Sequence, residues 1–222
     1  MPSKNKTFIV IPALNEEKYL AKVLKDVSKF NRNIIYVDDG STDQSVTIAK
    51  KFTHYILVHK INLGKGAALK TGCDYAFKYL KAENVIFVDA DDQHHAEEIP
   101  LFVEALKNSK VVFGERAFDH NMPFIRILSN RLLSLAFLIL FGRYIADIPS
   151  GYKAINKEAY KKLRWESTDY SVELEIAAKV AKYKIPFATV RISTIYHDFD
   201  RGMTFIDGLK TLFTLFNLRI SI

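Results

Sequence analysis

The sequence predicts an α/β fold, with a mostly parallel central sheet flanked by helices in a single domain, and an amphipathic helix at the C-terminal end. Three observations lead to this prediction. Short apolar runs alternate with helical patterns through the first half of the chain, as in βαβ units. Polar and glycine-rich segments directly follow those runs. The chain has 222 residues, of which 49% are hydrophobic, and this is enough for one sizeable core.

The first half contains five predicted strands, at residues 7–11, 33–37, 55–58, 85–88 and 111–113. Asn15 is placed to cap the first helix, with Glu16 and Glu17 in its positively polarised first turn. A turn at residues 38–43 (DDGSTD) leads into a second helix, and a glycine-led helix follows at residues 64–79. This order predicts parallel strands joined by right-handed crossovers.

The second half is less regular. Residues 132–141 (LLSLAFLILF) are strongly apolar, and they precede a predicted helix at residues 171–182 and a predicted strand at residues 187–193. Residues 203–222 have the pattern of an amphipathic helix. Its apolar positions are Phe205, Ile206, Leu209, Leu212, Phe213 and Phe216.

The composition limits the partners that the protein can have. Its formal net charge of +7 favours anionic partners such as a nucleotide or a phospholipid. No nucleic-acid-binding signature is present, so no nucleic-acid partner is expected. Cys73 is the only cysteine, which excludes an internal disulfide and a cysteine-based zinc site. The sequence shows no signal segment and no apolar run of about 20 residues, so a cytoplasmic location is expected.

The most informative residues are the carboxylates that follow the apolar run at residues 85–88. Residues two apart on an extended chain project to the same side, so Asp89 and Asp91 should converge just beyond the strand. Open α/β sheets bind ligands at this edge. Paired carboxylates suit Mg²⁺ or Mn²⁺ that holds a diphosphate. The alternative is that both residues serve only as turn and helix-cap residues.

Four polar or glycine-rich segments follow strands, at residues 12–16 (PALNE), 38–41 (DDGS), 62–66 (NLGKG) and 89–91 (DAD). Asp39 is expected to accept a hydrogen bond from a base or a ribose hydroxyl. Gly64 and Gly66 are expected to let the backbone approach a ligand, and Lys65 to supply charge for a phosphate. No P-loop and no G-x-G-x-x-G motif is present, which argues against a dinucleotide enzyme.

Together these segments are similar to those of the family 2 glycosyltransferases of GT-A fold, and within them to the polyprenyl-phosphate (dolichyl-phosphate) sugar synthases. The resemblance continues through residues 114–116 (GER), 130–131 (NR) and 147–153 (DIPSGYK), so it covers nearly the whole chain. It implies a GT-A domain at residues 1–202, with a nucleotide-sugar half at 1–115 and an acceptor half at 116–202. Residues 203–222 would then form a tail.

The resemblance also implies an activity, which is inverting transfer of a sugar from a nucleotide sugar of the GDP-mannose or UDP-glucose type to a polyprenyl monophosphate. Arg116 and Arg131 would receive the acceptor phosphate. Mg²⁺ or Mn²⁺ would be held by Asp89, Asp91 and Gln93. The nucleotide site would comprise Pro12, Ala13, Asn15, Glu16, Asp39, Lys65, Asp89, Ala90 and Arg201, with Arg201 closing over the donor diphosphate.

The acceptor decides whether the reaction needs a base. A polyprenyl monophosphate is already anionic, whereas a hydroxyl acceptor needs a general base. Asp147 is the first candidate for that base, followed by Glu173 and Glu175. The alternatives are a turn role for Asp147 and a solvated helix face for the two glutamates. Transfer to a saccharide or protein hydroxyl, nucleotidyl transfer and a non-catalytic nucleotide-sugar-binding module also stay open.

Two apolar segments are candidates for membrane contact. Residues 132–141 are too short to span a bilayer, and Arg126, Arg131 and Arg143 lie around them. Together with the tail at residues 203–222, they predict peripheral association with the cytoplasmic face of a membrane. The alternative is that the apolar run is core and the arginines are solvated. No prediction of oligomeric state follows from the sequence.

Overall fold

The computed structural model describes residues 6–117, 124–195 and 205–221. Seven strands in these ranges form one sheet, in the order β3-β2-β1-β4-β6-β5-β7. The strands are β1 (Thr7–Ala13), β2 (Ile34–Asp38), β3 (Tyr55–Val58), β4 (Asn84–Phe87), β5 (Val111–Arg116), β6 (Lys153–Asn156) and β7 (Phe187–Ile192). Strand β6 runs antiparallel to both of its neighbours, and the other strand pairs are parallel. The predicted single, mostly parallel α/β domain is therefore confirmed.

Helices cover both faces of this sheet. Those in the described part of the chain are α1 (Glu17–Phe30), α2 (Ser45–Ala49), α3 (Lys65–Lys78), α4 (Ile99–Ala105), α5 (Phe124–Phe141), α6 (Lys157–Leu163), α7 (Val172–Lys182) and α8 (Phe205–Ser221), with a short 3₁₀ helix at Ala96–Glu98. Alternate residues of β1 divide between two cores. Val10 packs with α3 and α7 on one face, and Ile9 packs with α1 and α4 on the other.

The strands and the long helices predicted from the sequence are present, with boundaries shifted by one to three residues for most of them. Strand β6 was not predicted. It is only four residues long, and it begins with Lys153, whose charge hides the apolar pattern of a buried strand. Helices α4 and α6 were also not predicted, because each has only seven residues. The division at residue 115 into two functional halves stays a prediction.

The C-terminal amphipathic helix is present as α8, which packs against α5 and α7. Leu215 is fully buried in this contact, whereas Phe213, Phe216 and Ile220 are exposed. None of the helices within the described ranges combines the length and the apolar character that crossing a membrane requires.

The direction of β6 determines which loops meet. Strands β1, β2, β4 and β5 are mutually parallel in the sheet, so their carboxyl ends lie at one edge. Because β6 is antiparallel to β4 and β5, the segment that precedes it, residues 147–152, arrives at that same edge. Phe87 of β4 and Phe113 of β5 both pair with Lys153. The loops after β4 and β5 therefore face a common segment.

Candidate functional site

A cleft of about 260 Å³ lies at this edge of the sheet. It is bounded by the loops after β1, β2 and β4, the start of α3, and residues 169–170. The residues predicted for the nucleotide or metal site that line it are Pro12, Ala13, Glu16, Asp39, Lys65, Asp89, Ala90 and Asp91. Arg201 lies outside the described residues. The structure thus brings most of the predicted donor residues to one cleft.

Lys65 lies between two acidic side chains in the wall of the cleft. Its Nζ is 2.9 Å from Oδ1 of Asp89 and 3.1 Å from Oε1 of Glu173. Although burial opposes both shifts, the opposite charges raise the pKa of Lys65 and lower the pKa of Asp89 to about 2. Lys65 and Asp89 are therefore both charged at neutral pH.

Asp91 carries the second carboxylate of the predicted metal site. Its Oδ1 accepts a hydrogen bond from the backbone N–H of Gln93 at 3.1 Å. Burial and the neighbouring charge of Asp89 raise the pKa of Asp91 to about 6. Two carboxylates that repel each other in this way form a site that favours an added cation.

This pair of carboxylates fits a divalent ion held jointly with a substrate. Within residues 6–117, 124–195 and 205–221, no group of three or more His, Cys, Asp or Glu side chains is placed to hold a metal. Mg²⁺ is commonly bound by one or two carboxylates together with substrate phosphates, rather than by a complete protein cage. Asp89 and Asp91 supply the hard oxygen ligands that such a site needs. The part assigned to Gln93 stays a prediction.

A stack of three rings supports Asp89 from behind. His94 stacks on Tyr152 with ring centroids 4.6 Å apart, and Tyr152 stacks on Phe102 at 4.3 Å. The backbone N–H of Asp89 donates to Nδ1 of His94 at 3.2 Å. Burial lowers the pKa of His94 to about 4, so the ring is neutral at pH 7 and carries its proton on Nε2.

Chain atoms take the space in which a Cβ on Gly64 or Gly66 would lie, although Gly64 also lines the cleft. The predicted approach of their backbone to a ligand stays a prediction. A Cβ on Gly64, whose φ is +93°, would lie 2.9 Å from the backbone carbon of Thr168. A Cβ on Gly66 would collide with the backbone of Ser167, and Trp165 Nε1 donates to the Gly66 carbonyl at 2.8 Å. These contacts bring residues 165–170 against α3.

Two cleft residues and one contact were therefore missed at the sequence level, where Glu173 was considered only as a base. Asp169 and Tyr170 line the cleft, and Glu173 contacts Lys65. They lie about 100 positions after Lys65 in the sequence, and only the packing of Trp165 on α3 brings them to the site. The sequence contains one indication of this packing, because Trp165 is the only tryptophan in the chain and is followed by polar residues and a predicted helix.

Asp39 is buried, and its carboxylate is bound by the chain. The backbone N–H groups of Leu63 and Gly64 donate to it at 2.9 and 2.7 Å, and Nδ1 of His59 lies 2.7 Å away. Asp39 therefore holds the loop that leads to Lys65. Its predicted contact with a nucleobase or ribose stays a prediction.

The expectation that Asn15 caps α1 is wrong. The helix begins after Glu16, and Asn15 has a φ of +56°. Its Oδ1 accepts from the Thr42 N–H at 2.9 Å, and its own N–H donates to Ser41 Oγ at 2.9 Å. Asn15 thus ties the loop after β1 to the loop after β2 and does not line the cleft.

Asp147 binds Arg116 at the end of β5. Nε and one terminal nitrogen of Arg116 donate to the two carboxylate oxygens at 2.7 and 2.8 Å, and Asn130 adds a third donor at 3.1 Å. Although burial opposes it, these contacts with Arg116 lower the pKa of Asp147. A carboxylate bound in this way is a poor general base, so the structure does not support that role. Arg131 follows Asn130 on the exposed side of α5.

Glu173 and Glu175 do not form a solvated helix face, because both are buried. Glu175 accepts hydrogen bonds from the backbone N–H groups of Glu166 and Ser167, and its Oε1 lies 2.6 Å from Lys179. It thereby fixes the segment that packs on α3. Glu173 binds Lys65, while its Oε2 is buried without a hydrogen-bond partner in the described part of the chain.

Comparison with protein families identifies the family of the chain. The family model described as glycosyl transferase family 2 matches residues 8–164, which include the cleft-lining loops after β1, β2 and β4 and the Arg116–Asp147 pair. The chain belongs to glycosyl transferase family 2. The protein is therefore a glycosyltransferase, and the GT-A fold implied by the resemblance is confirmed.

Relatives of this glycosyltransferase include enzymes named for transfer to lipid phosphates. It is 31% identical to the UDP-N-acetylglucosamine–dolichyl-phosphate N-acetylglucosaminyltransferase of Methanococcus voltae, over 96% of each chain. It is 28% identical to the dolichol-phosphate mannosyltransferase of Pyrococcus furiosus, over 95% of this chain and 63% of that one. The glycosyltransferase is thus related to dolichyl-phosphate sugar transferases.

A solved structure gives the same fold. Glucosyl-3-phosphoglycerate synthase from Mycobacterium tuberculosis, in complex with Mn²⁺, UDP and phosphoglyceric acid, superposes with a TM-score of 0.76 at 21% identity, over 97% of this chain and 79% of that one. The same enzyme is also known in complex with Mg²⁺ and UDP. At this level of identity, the similarity extends to the fold of the glycosyltransferase alone.

Proposed function

We propose that this glycosyltransferase moves a sugar from a nucleotide sugar to a polyprenyl (dolichyl) monophosphate, with inversion and with a divalent metal ion. The observation that carries the proposal is the Arg116–Asp147 pair at the end of β5. It holds a guanidinium beside the donor cleft, and it removes the first candidate for a general base. An acceptor that is already anionic suits both facts.

The donor half of the proposal rests on the cleft. Asp89 and Asp91 would hold Mg²⁺ or Mn²⁺, and Lys65 and residues of the loop fixed by Asp39 line the same cleft. When bound, the metal ion would neutralise negative charge on the diphosphate as the sugar leaves. The M. voltae enzyme is named for UDP-N-acetylglucosamine, and the M. tuberculosis enzyme is known in complex with UDP. A UDP-sugar is therefore among the donors that we propose for this chain.

The acceptor half of the proposal rests on the fixed guanidinium of Arg116 and on the ion pairs made by the three candidate bases. Asp147 fixes the guanidinium plane of Arg116, and planar guanidinium groups bind phosphate with two hydrogen bonds. The three carboxylates considered as bases are each engaged by a cation, Asp147 by Arg116, Glu173 by Lys65 and Glu175 by Lys179. Arg131 is proposed as a second phosphate ligand.

Membrane contact is part of the same proposal. Leu128, Leu132, Leu135 and Ile139 form an exposed apolar stripe along α5, and Leu212, Phe213, Phe216 and Ile220 form another along α8. The two helices pack together, and Asn130 of α5 contacts Asp147. We define these eight side chains as the apolar face. It would rest on the cytoplasmic face of a membrane and bring a lipid phosphate to Arg116.

The test is sugar transfer followed by organic extraction. Purified protein is incubated with Mn²⁺ or Mg²⁺, a polyprenyl monophosphate, and radiolabelled UDP-N-acetylglucosamine, UDP-glucose or GDP-mannose in turn. Label that enters the organic phase with one donor, and that is lost in Asp91→Ala, is the expected result. Metal-dependent transfer to a saccharide without organic label would contradict the proposal.

A further inference from the structure

The ammonium of Lys65 lies where a metal ion bound to Asp89 would also lie. Its Nζ is 2.9 Å from Oδ1 of Asp89, and Asp89 is one of the two carboxylates available to a divalent ion. The Lys65 side chain is only 15% exposed, so its ammonium group belongs to the wall of the cleft and is not a solvated surface charge. A cation that binds Asp89 through both oxygens must compete with this ammonium.

Glu173 offers the ammonium a second position. Its Oε1 is 3.1 Å from Lys65 Nζ, while its Oε2 is buried and makes no hydrogen bond within the described residues. A buried carboxylate oxygen without a donor is costly, and such an atom needs an explanation. Lys65 is already within reach, and a small rotation of its side chain would let Glu173 bind the ammonium with both oxygens.

We propose that Lys65 neutralises Asp89 until the divalent ion binds, and that Glu173 is the positioning residue that then takes the ammonium from Asp89. This inference rests on the proposed metal-dependent function. In the exchange, Lys65 gives up one contact, gains the unused oxygen of Glu173, and remains in the wall of the cleft. There it faces the donor diphosphate.

The surroundings of Lys65 restrict it to these positions. A Cβ added at Gly151 would lie 2.9 Å from Lys65 Nζ and would collide with Oδ2 of Asp89, so the loop before β6 closes one side. The ring of Tyr170 lies on another side, with its centroid 5.6 Å from Nζ. Glu173 lies in the first turn of α7, where the helix dipole favours its negative charge. The ammonium therefore moves between two carboxylates rather than into solvent.

The test measures Mn²⁺ binding alone, without nucleotide, by the electron paramagnetic resonance signal of the free ion. Lys65→Met removes the competing ammonium and should tighten Mn²⁺ binding by about tenfold. Glu173→Gln removes the second position and leaves Lys65 on Asp89, so it should weaken Mn²⁺ binding by about threefold. Lys78→Met is the matched control, because it removes the same charge from the other end of α3 and should change nothing.

Opposite effects of the two variants are the expected result, and a purely structural role would not produce them. Weaker binding in both variants, or an affinity of Lys65→Met equal to that of Lys78→Met, would overturn the inference. Circular dichroism of each variant identifies any loss of folding. No sugar is transferred in this experiment, so it does not test the proposed function. Transfer of label to the organic phase by the wild-type protein remains a separate test of that function.

Discussion

Asp147 and Arg116 are joined by two parallel hydrogen bonds, from Nε at 2.7 Å and from a terminal nitrogen at 2.8 Å. The backbone N–H of Arg116 donates to the same carboxylate at 3.1 Å. The guanidinium therefore has a fixed plane before any substrate binds. A planar cation held in advance loses less conformational entropy when it binds a phosphate.

Asp147→Asn is expected to raise KM for the polyprenyl phosphate by ten- to a hundredfold, since the amide has no charge to hold the guanidinium. The pH profile of kcat should keep its shape, because Asp147 positions Arg116 and accepts no proton. Steady-state kinetics with varied acceptor measure both effects. Glu115→Gln is the neighbouring control, and a change in the pH profile of Asp147→Asn would instead favour a base.

Asp91→Asn is expected to reduce sugar transfer by a hundredfold or more, because it removes one of the two proposed ligands of the metal ion. Mn²⁺ binding should weaken in parallel, as measured by isothermal titration calorimetry. Glu97→Gln removes an exposed carboxylate from the 3₁₀ helix nearby and serves as the control. Normal Mn²⁺ binding by Asp91→Asn would move the metal site elsewhere.

The pH dependence of metal binding should report the raised pKa of Asp91. Below its pKa of about 6, the carboxyl holds a proton that must leave before a cation binds. Mn²⁺ affinity is therefore expected to rise by about tenfold per unit as the pH increases toward 6, and to level off above it. Titrations from pH 5 to 8 measure this. An affinity independent of pH across that range would contradict it.

Gly151→Ala is expected to impair the donor site without unfolding the protein. The added methyl group would collide with Oδ2 of Asp89 and displace this proposed metal ligand, so Mn²⁺ binding and sugar transfer should both fall by about tenfold or more. Ser150→Ala is the control in the same loop, because it removes a buried hydroxyl that has no hydrogen-bond partner in the described chain. Equal activity of the two variants would show that the loop can shift freely.

Glu175→Gln is expected to lower the free energy of unfolding at pH 7 by about 1–3 kcal/mol, because the carboxylate accepts several backbone hydrogen bonds. Although burial opposes it, the contacts with Lys179 and Ser167 hold the pKa of Glu175 below its ordinary value of 4.5. A lowered pKa stabilises the fold above 4.5, and this contribution is lost as the pH falls through the folded-state pKa. Urea unfolding at pH 7 and pH 4 should show the difference from wild type narrowing, with Glu166→Gln as control.

The apolar face should govern membrane binding. Leu135→Glu combined with Phe213→Glu is expected to lower co-sedimentation with anionic liposomes by tenfold or more, because each side chain contributes roughly 1.5–3 kcal/mol when it leaves water. Leu101→Glu, a substitution of a similarly exposed leucine on α4, is the control. Transfer to a short, water-soluble polyprenyl phosphate should persist. Unchanged liposome binding of the double variant would contradict the proposal.

The sequence predicted which loops border the cleft, for a physical reason. In a parallel sheet, the loops that follow successive strands meet at one edge, so local motifs such as the Asp89–Asp91 pair are sufficient to locate the cleft. The parallel direction of the first four strands was also local information, because strands joined by a helix in βαβ units run parallel. The predicted residues Pro12, Glu16 and Asp39 line the cleft accordingly.

What the sequence did not predict depends on contacts between distant segments. Glu173 reaches Lys65 only because Trp165 packs on α3, and Asp147 meets Arg116 only because β6 is antiparallel. Neither relationship has a periodicity or a fixed spacing in the sequence. The packing of residues 167 and 168 beside Gly64 and Gly66 was not predicted for the same reason, since a requirement for space does not reveal what fills it.

Strand β6, which lies between β4 and β5, also determines the distance between the ends of these two strands. Neighbouring strands are about 4.8 Å apart, and β6 lies between β4 and β5. The end of β4, which leads to Asp89, and the end of β5, which carries Arg116, are therefore roughly 10 Å apart across the sheet. Backbone hydrogen bonds maintain this spacing, whereas loop conformation does not affect it. Substitutions in the loops can therefore change the walls of the cleft, but a different distance between the ends of β4 and β5 would require a sheet with a different number of strands.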